Sequence, residues 1–234
     1  MTNIVMVVRD RFRLTEQALK SLFDHTDRDQ FNLTIVDDYS TDFRLLNLMS
    51  RYCRYPNVTC VHIEKSQHVI ARAKNIGVEW SDQTFDRHQW LYISDNDVCF
   101  TPGWLDTLTG VAVNTIIDGY KLWGGQVHPF HKPTRPHCLL SDCKLDQHQV
   151  VDGPSWLMRW DTWDAYGPFD PNNAPGPCQS DEYPFCKKIL DDGHLIGVVK
   201  PHVVIHTGLT QTDGRDAPGR AEREATKVPG VLYQ

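Results

Sequence analysis

The sequence of 234 residues has no long apolar run, no excess of basic residues and no closely paired cysteines. No apolar run reaches the roughly 18 residues that a membrane-spanning helix needs. The formal net charge of −6 argues against a protein that coats nucleic acid. Hydrophobic residues make up 40% of the chain and charged residues 23%, which excludes a mainly disordered protein and indicates a globular one.

The seven cysteines are odd in number and scattered, with no C-x-x-C pair. This distribution favours reduced thiols over a disulfide framework or a zinc site. The N-terminal apolar run gives way to charge at Arg9, Asp10 and Arg11, so it is not typical of a secretory signal. Both observations predict a cytoplasmic protein.

The length favours one domain over residues 1–234, and its first hundred residues alternate between apolar strand-like runs and amphipathic helices. Strands are predicted at 3–8, 32–36, 58–63 and 90–94, and a helix at 70–79. This alternation is typical of an α/β fold with a mostly parallel sheet flanked by helices. All four strands end in polar residues, at the edge of the sheet where open α/β folds bind ligands.

The second half has a less regular pattern. A helix is predicted at 103–118, a strand at 121–127, and a loop of little periodicity at 128–147. A strand at 150–159, a short helix at 161–166, a helix at 181–190 that stops at Gly193, and one strand-like segment at 195–206 follow. From residue 207 onward the composition indicates a tail or a lid.

Three polar residues, Asp95, Asn96 and Asp97, directly follow the fourth predicted strand. Two carboxylates separated by one residue can approach the same cation, and hard divalent ions prefer such oxygen ligands. Asp and Asn also form turns by hydrogen-bonding their own backbone. Taken alone, the triplet favours the turn, because D-x-D patterns arise often by chance.

Four further blocks accompany this triplet. They are Asp37-Asp38-x-Ser40-x-Asp42, the run ARAKNIG at 71–77, Gly167-Pro168-Phe169-Asp170 with the later pair Asp181-Glu182, and His206. Together the five blocks resemble the nucleotide-sugar glycosyltransferases of the GT-A fold, and family 2 in particular, over residues 3 to about 207. The resemblance implies a Rossmann-like sheet, a nucleotide-binding half at about 1–100, an acceptor and catalytic half at 101–206, and a flexible tail or lid at 207–234.

The resemblance also implies a bound divalent metal, Mn²⁺ or Mg²⁺. Asp97 would be its main ligand, Asp95 a ribose contact or second ligand, and His206 would complete the coordination. The residues implied to bind the nucleotide-sugar are Arg9, Asp37, Asp38, Arg72, Asp95 and Asn96. Alternatives stay open: the acids at 37 and 38 could only cap the next helix, and Arg72 could lie on a solvated helix face, where Lys74 is also assigned.

The acceptor hydroxyl must lose a proton as it attacks the sugar, and a carboxylate can accept it. The resemblance assigns this role to Glu182, with Asp181 beside it as an orienting or acceptor-binding group. The family usually has Glu before Asp here, so the reversed order leaves Asp181 as an alternative base, and Asp181 could also be a helix N-cap. Trp156 is a weak candidate for stacking on the acceptor.

We therefore expect a metal-dependent transferase that moves a sugar from a nucleotide-sugar, with UDP favoured, to a hydroxyl of a glycan or lipid-linked acceptor with inversion. A retaining transferase and a non-catalytic carbohydrate-binding protein on the same fold are the alternatives. No nucleic-acid partner is expected. Peripheral membrane association and the oligomeric state are left open.

Overall fold

The computed structural model describes residues 1–65, 69–125, 135–138, 143–151, 153–172 and 182–207, with the backbone alone at 135–138 and 182. The helices are α1 Phe12–His25, α2 Phe43–Tyr52, α3 Ile70–Thr84, α4 Trp104–Thr115, α5 Trp160–Tyr166 and α6 Glu182–Asp191. The strands are β1 Thr2–Val8, β2 Phe31–Asp37, β3 Val58–His62, β4 Trp90–Asp95, β5 Val98–Phe100, β6 Tyr120–Gly124, β7 Arg135–Cys138, β8 Lys144–Gln147, β9 Ser155–Arg159, β10 Leu195–Lys200 and β11 Val204–His206.

Within the described residues, nine strands form one sheet in the order β3-β2-β1-β4-β9-β6-β10-β8-β7. The first four strands in this order are parallel, and β9 runs antiparallel between β4 and β6. The prediction of an α/β fold with a mostly parallel central sheet is confirmed. The predicted convergence of polar strand ends is confirmed as well, because the register sets Val7 opposite Asp95 and Val8 opposite Asp37.

The central strand β1 is buried along its whole length because helices cover both faces of the sheet. Successive side chains of a strand point to opposite faces, so its even and odd residues join different cores. Ile4, Met6 and Val8 pack with residues of α1, α2 and α4. Val5 and Val7 pack with residues of α3, α5 and α6.

The prediction of a loop over residues 128–147 is wrong in part. Strands β7 and β8 lie within it, pair antiparallel, and extend the sheet because β8 also pairs with β10. Their pairing is set by contacts with a strand about fifty residues later, which the local pattern of the segment does not encode.

Two further strand predictions need correction. The segment at 195–206 is divided into β10 and β11 around Pro201, which has no backbone N–H to donate to a sheet. Strand β11 instead pairs with β5 in a separate two-stranded sheet. The strand predicted at 150–159 begins only at Ser155. The predicted helix stop is confirmed: Gly193 follows α6 with a φ of 81°.

The prediction of reduced thiols is wrong for one pair, because Cys53 and Cys60 form a disulfide between the end of α2 and the edge strand β3. Among the described side chains, Cys99, Cys143 and Cys186 do not take part in a disulfide. The cytoplasmic location loses the support of the cysteine argument and stays a prediction. None of the helices in the described ranges is long and apolar enough to cross a membrane. The predicted tail or lid lies outside the described residues after 207.

Helix α3 packs closely against the sheet at Gly77, which gives a test of this interface. A Cβ at Gly77 would lie 2.5 Å from side-chain carbons of both Val5 and Val36. We expect Gly77→Ala to lower the free energy of unfolding by about 1–3 kcal/mol, the usual cost of overpacking. Gly110→Ala is the control: a Cβ there would meet no atom within 4 Å, and alanine should stabilise α4 by up to about 1 kcal/mol. Urea denaturation of both variants measures these changes, and an equal effect at the two positions would contradict the close packing.

Candidate active site

The carboxyl ends of β1 and β2 are followed by loops that contain three non-glycine residues with left-handed backbone conformation. Asp10 has a φ of 47°, Arg11 of 53° and Tyr39 of 64°. Side chains other than glycine rarely adopt this conformation, and it costs roughly 1–3 kcal/mol per residue. Such residues persist only where surrounding contacts hold them in place, and they occur most often at functional sites.

Hydrogen bonds join these two loops into one unit. Oδ1 of Asp10 accepts from the backbone N–H groups of Thr41, at 2.9 Å, and Asp42, at 3.2 Å. The backbone N–H of Asp10 donates to Oγ of Ser40 at 2.8 Å. The conformation of the loop after β1 therefore depends on the loop after β2.

The two acids predicted to contact the nucleotide both have partners within the protein. Oδ1 of Asp37 accepts from the backbone N–H of Ser40 at 3.0 Å, and its Oδ2 lies 3.1 Å from Nδ1 of His62. Oδ2 of Asp38 lies 3.6 Å from Nη1 of Arg9. The alternative that one of them caps α2 is wrong, because Asp42 is the N-cap and accepts from the backbone N–H of Arg44. Their contact with a nucleotide stays a prediction.

Asp97 is 4% exposed and lies between two basic side chains. Nη1 of Arg11 donates to its Oδ2 at 2.7 Å, and Nε2 of His206 lies 3.2 Å from its Oδ1. Burial raises the pKa of Asp97, but His206 and Arg11 outweigh it and hold that pKa below its ordinary value. Asp97 is therefore a buried, ionised carboxylate.

Pairing between β5 and β11 brings His206 to Asp97. His206 stands opposite Val98, the residue next to Asp97 in the chain. The backbone N–H and Oγ1 of Thr207 both donate to the backbone carbonyl of Asp97, at 2.8 and 3.0 Å. The sequence-based pairing of Asp97 with His206 thus has a geometric basis, whereas the roles of Arg11 and Thr207 were missed.

The assignment of Lys74 to a solvated face is wrong. Its side chain is 1% exposed, and Nζ lies 3.9 Å from Oδ1 of Asp95. Nζ also lies 5.7 Å from the ring centres of Trp156 and Phe169. One signal was present in the sequence, since Lys74 is three residues from Ala71 and four from Val78, on the apolar stripe of α3.

Other predicted site residues differ in their surroundings. The amide nitrogen of Asn96 donates to Oγ1 of Thr15 at 2.7 Å in a buried contact, so this side chain ties the triplet to α1. Arg72 is exposed in the first turn of α3. Trp156 is wholly buried, and its Nε1 donates to the carbonyl of Val151 at 2.8 Å. The prediction that Trp156 stacks on an acceptor is wrong, because core residues cover its ring.

Comparison with known proteins assigns the chain to a protein family. The family described as Glycosyl transferase family 2 matches residues 3–137, more than half of the sequence. The chain belongs to glycosyltransferase family 2. The matched range contains Asp37, Asp38, Asp95 and Asp97, while Glu182 and His206 lie beyond it. No curated protein matches the chain in sequence.

Solved structures share the GT-A fold of this family 2 chain. GalNAc-T7 with UDP, GalNAc and Mn²⁺ has a TM-score of 0.68 at 14% identity, over 88% of this chain and 43% of its own. S. aureus TarS with UDP-GlcNAc has a TM-score of 0.63 at 13% identity, over 96% and 64%. The mannosyltransferase PcManGT from Pyrobaculum calidifontis, with GDP-Man and Mn²⁺, has a TM-score of 0.61 at 14% identity, over 84% and 56%. The chain therefore spans 43 to 64% of the chains in these three structures, where TarS is represented by its residues 1–349.

Asp97 and His206 are two described side chains that could bind a divalent metal together. Among the described residues, no group of three or more His, Cys, Asp or Glu side chains is close enough to hold an ion. Within the same part of the chain, Oδ1 of Asp97 is buried and lies 3.2 Å from Nε2 of His206. A carboxylate oxygen and an imidazole nitrogen suit Mn²⁺, and phosphate oxygens of a nucleotide could supply further ligands.

The acidic pair falls at the boundary of the described residues. Helix α6 begins at Glu182, of which the backbone is described, and Asp181 lies outside the described residues. Their catalytic roles stay predictions.

The side chain of Asn75 in α3 forms two hydrogen bonds with the backbone of Phe169. Its Nδ2 donates to the carbonyl at 2.8 Å, and its Oδ1 accepts from the N–H at 2.9 Å.

This contact between Asn75 and Phe169 leads to a stability prediction. Asn75→Ala would leave a backbone N–H and a carbonyl of a buried residue without these partners, so we expect a loss of about 1–3 kcal/mol in the free energy of unfolding. Asn114→Ala is the control, since the amide of Asn114 donates to the carbonyl of Gly110 at an exposed position. Its effect should stay within about 0.5 kcal/mol. Equal stability of the two variants in chemical denaturation would contradict a structural role of Asn75.

Proposed function

We propose that this family 2 chain is a metal-dependent glycosyltransferase that moves a sugar from a nucleotide-sugar to an acceptor hydroxyl. The observation that carries the proposal is the pairing of Asp97 with His206 at the carboxyl edge of the sheet, where Nε2 of His206 lies 3.2 Å from the buried Oδ1 of Asp97. A UDP sugar is the proposed donor, supported by the UDP and UDP-GlcNAc complexes of structural neighbours. The neighbour with GDP-Man makes GDP sugars the first alternative to test.

Asp97 and His206 would hold the metal. When bound, Mn²⁺ or Mg²⁺ acts as a Lewis acid and neutralises the negative charge that develops on the diphosphate leaving group. Asp95 would contact the ribose or the metal, and Nζ of Lys74 lies 3.9 Å from its Oδ1. Three further residues would contribute to the nucleotide site: Arg9 after β1, Asp38 after β2 and Arg72 in the first turn of α3.

Glu182 would accept the proton of the acceptor hydroxyl in an inverting displacement. It stands at the start of α6, and α6 packs through Phe185 and Ile189 on the same core as α3 and β4. A carboxylate removes a proton best when it is partly shielded from water and close to the attacking oxygen. The acceptor would be a glycan or a lipid-linked sugar, and no nucleic-acid partner is proposed.

Loss of the metal ligand gives the first functional prediction. Nucleotide at about 100 times its dissociation constant should stabilise the native protein by roughly 2.7 kcal/mol. We expect a UDP sugar to raise the melting temperature of the wild-type protein only with Mn²⁺, and Asp97→Asn to remove this shift. Asp106→Asn is the control, because Asp106 is exposed and accepts from Gln30 near the amino ends of the strands. A full shift in excess chelator would contradict the proposed metal dependence, and GDP and TDP sugars in the same assay test the choice of donor.

Replacement of the proposed base gives the second functional prediction. Glu182→Gln should lower the turnover rate by about 10²- to 10⁴-fold and leave donor affinity unchanged, because the base contacts only the acceptor. Asp181→Asn should cost less turnover or mainly raise the KM for the acceptor. Steady-state rates and donor binding of the two variants provide the measurement. A fully active Glu182→Gln beside an inactive Asp181→Asn would exchange the two roles.

A further inference from the structure

Arg11 supplies a cation to the carboxylate that the proposed metal would bind. Its Nη1 donates to Oδ2 of Asp97 at 2.7 Å, while His206 faces the other oxygen of the same carboxylate. The side chain of Arg11 is 17% exposed and that of Asp97 is 6% exposed, so water screens this ion pair weakly. The protein therefore already neutralises Asp97 without a metal ion.

The backbone fixes the point from which the Arg11 side chain reaches Asp97. Arg11 has φ 53° and ψ 50° and directly precedes α1, where its carbonyl accepts from the backbone N–H of Thr15 at 3.0 Å. The preceding residue, Asp10, is also left-handed and is bound to the loop after β2. Left-handed backbone at a non-glycine residue persists only where surrounding contacts hold it. Contacts with α1 and with the loop after β2 thus hold the backbone from which the Arg11 side chain extends.

A guanidinium so close to the carboxylate changes how a divalent ion can bind there. The ion would compete with Arg11 for Asp97, and two cations at one carboxylate repel each other. A diphosphate removes this conflict, because its oxygens accept from the planar guanidinium fork as well as coordinate a metal. Metal without nucleotide should therefore bind poorly, and metal with nucleotide should bind well.

We infer that Arg11 is the resident cation of Asp97: it opposes metal binding in the absence of nucleotide and binds the diphosphate when nucleotide and metal arrive together. This inference rests on the proposed function, since it assumes a nucleoside diphosphate at this edge of the sheet. It assigns to Arg11 the coupling between the two ligands. The sign of that coupling is what distinguishes it from a purely structural ion pair.

The test uses Arg11→Met, which removes the charge and keeps most of the side-chain length. Calorimetry measures binding of Mn²⁺ alone, and then binding of UDP in saturating Mn²⁺. We expect Mn²⁺ alone to bind about tenfold more tightly to Arg11→Met than to the wild type, and UDP with Mn²⁺ to bind about tenfold more weakly, each equivalent to ~1.4 kcal/mol. Arg11→Lys should fall between the two proteins in both measurements, because it keeps the charge but not the planar fork.

Arg13→Met is the matched control, because Arg13 is exposed two residues away and its loss removes the same charge. It should change neither affinity by more than about twofold, as expected of a screened surface charge. Weaker binding of Mn²⁺ alone to Arg11→Met, or unchanged binding of UDP with Mn²⁺, would overturn the inference. If Arg11→Met does not fold, judged by circular dichroism, Arg11→Lys carries the same comparison.

The two proposals fail in different ways. If the wild-type protein binds neither UDP nor another nucleotide with Mn²⁺, the proposed function is wrong. Binding of Mn²⁺ alone to Arg11→Met and to the wild type then still shows whether Arg11 competes with metal for Asp97. If the wild type binds UDP with Mn²⁺ and Arg11→Met behaves identically, only the role of Arg11 is wrong.

Discussion

A buried carboxylate at the end of the central sheet determines how distant parts of this chain must meet. Removal of a charged carboxylate from water costs several kcal/mol unless partners within the protein replace the lost hydration. Asp97 obtains these partners from distant parts of the chain: Arg11 follows β1, and His206 belongs to β11, the last strand among the described residues. Thr207 then binds the backbone carbonyl of Asp97 from the same segment. The ionised state of Asp97 therefore depends on the contacts with Arg11 and His206, and these contacts in turn depend on the charge of Asp97.

The scaffold below this carboxylate follows from hydrophobic patterning. Four parallel strands with apolar residues on both faces need helices on both sides, and their polar ends then converge at one edge. The loops at that edge are short and hold each other, because the backbone N–H of Asp10 donates to Oγ of Ser40 and Oδ1 of Asp10 accepts from the backbone N–H of Thr41. Asp10, Arg11 and Tyr39 lie in these loops with left-handed backbone, a conformation that persists only where surrounding contacts hold it. A rigid edge of this kind can hold charged groups in place before a ligand binds.

Sequence patterns predicted those parts of the fold that are encoded locally. The strands near residues 3–8 and 90–94 were recognisable because each is a continuous apolar run, and Gly193 was recognisable as a helix stop. Arg11 was missed because its partner Asp97 is 86 residues away and only the tertiary structure joins them. The hairpin of β7 and β8 was missed for a similar reason, since its register depends on β10.

Side-chain burial was the other limit of the sequence analysis. Lys74 was assigned to solvent because lysine is usually exposed, yet its position on the apolar stripe of α3 places it under Asp95. Trp156 was assigned to a sugar because tryptophan often stacks on sugars, but its ring fills the core. In both cases the residue type suggested one environment and the position in the element determined another. Position along a periodic element was the better guide.

Helix α3 connects the proposed donor and acceptor sides of the site. Lys74 approaches Asp95 on the donor side, and the next residue, Asn75, binds both backbone groups of Phe169. Phe169 in turn packs against Phe185 of α6, the helix that begins at Glu182. Because Gly77 allows α3 to lie directly on β1 and β2, the distance between this helix and the sheet is fixed by backbone and valine contacts. Helix α3 therefore links the acids at the end of β4 to the residues that pack against α6, and a displacement between a bound sugar and an attacking hydroxyl requires such fixed relative positions.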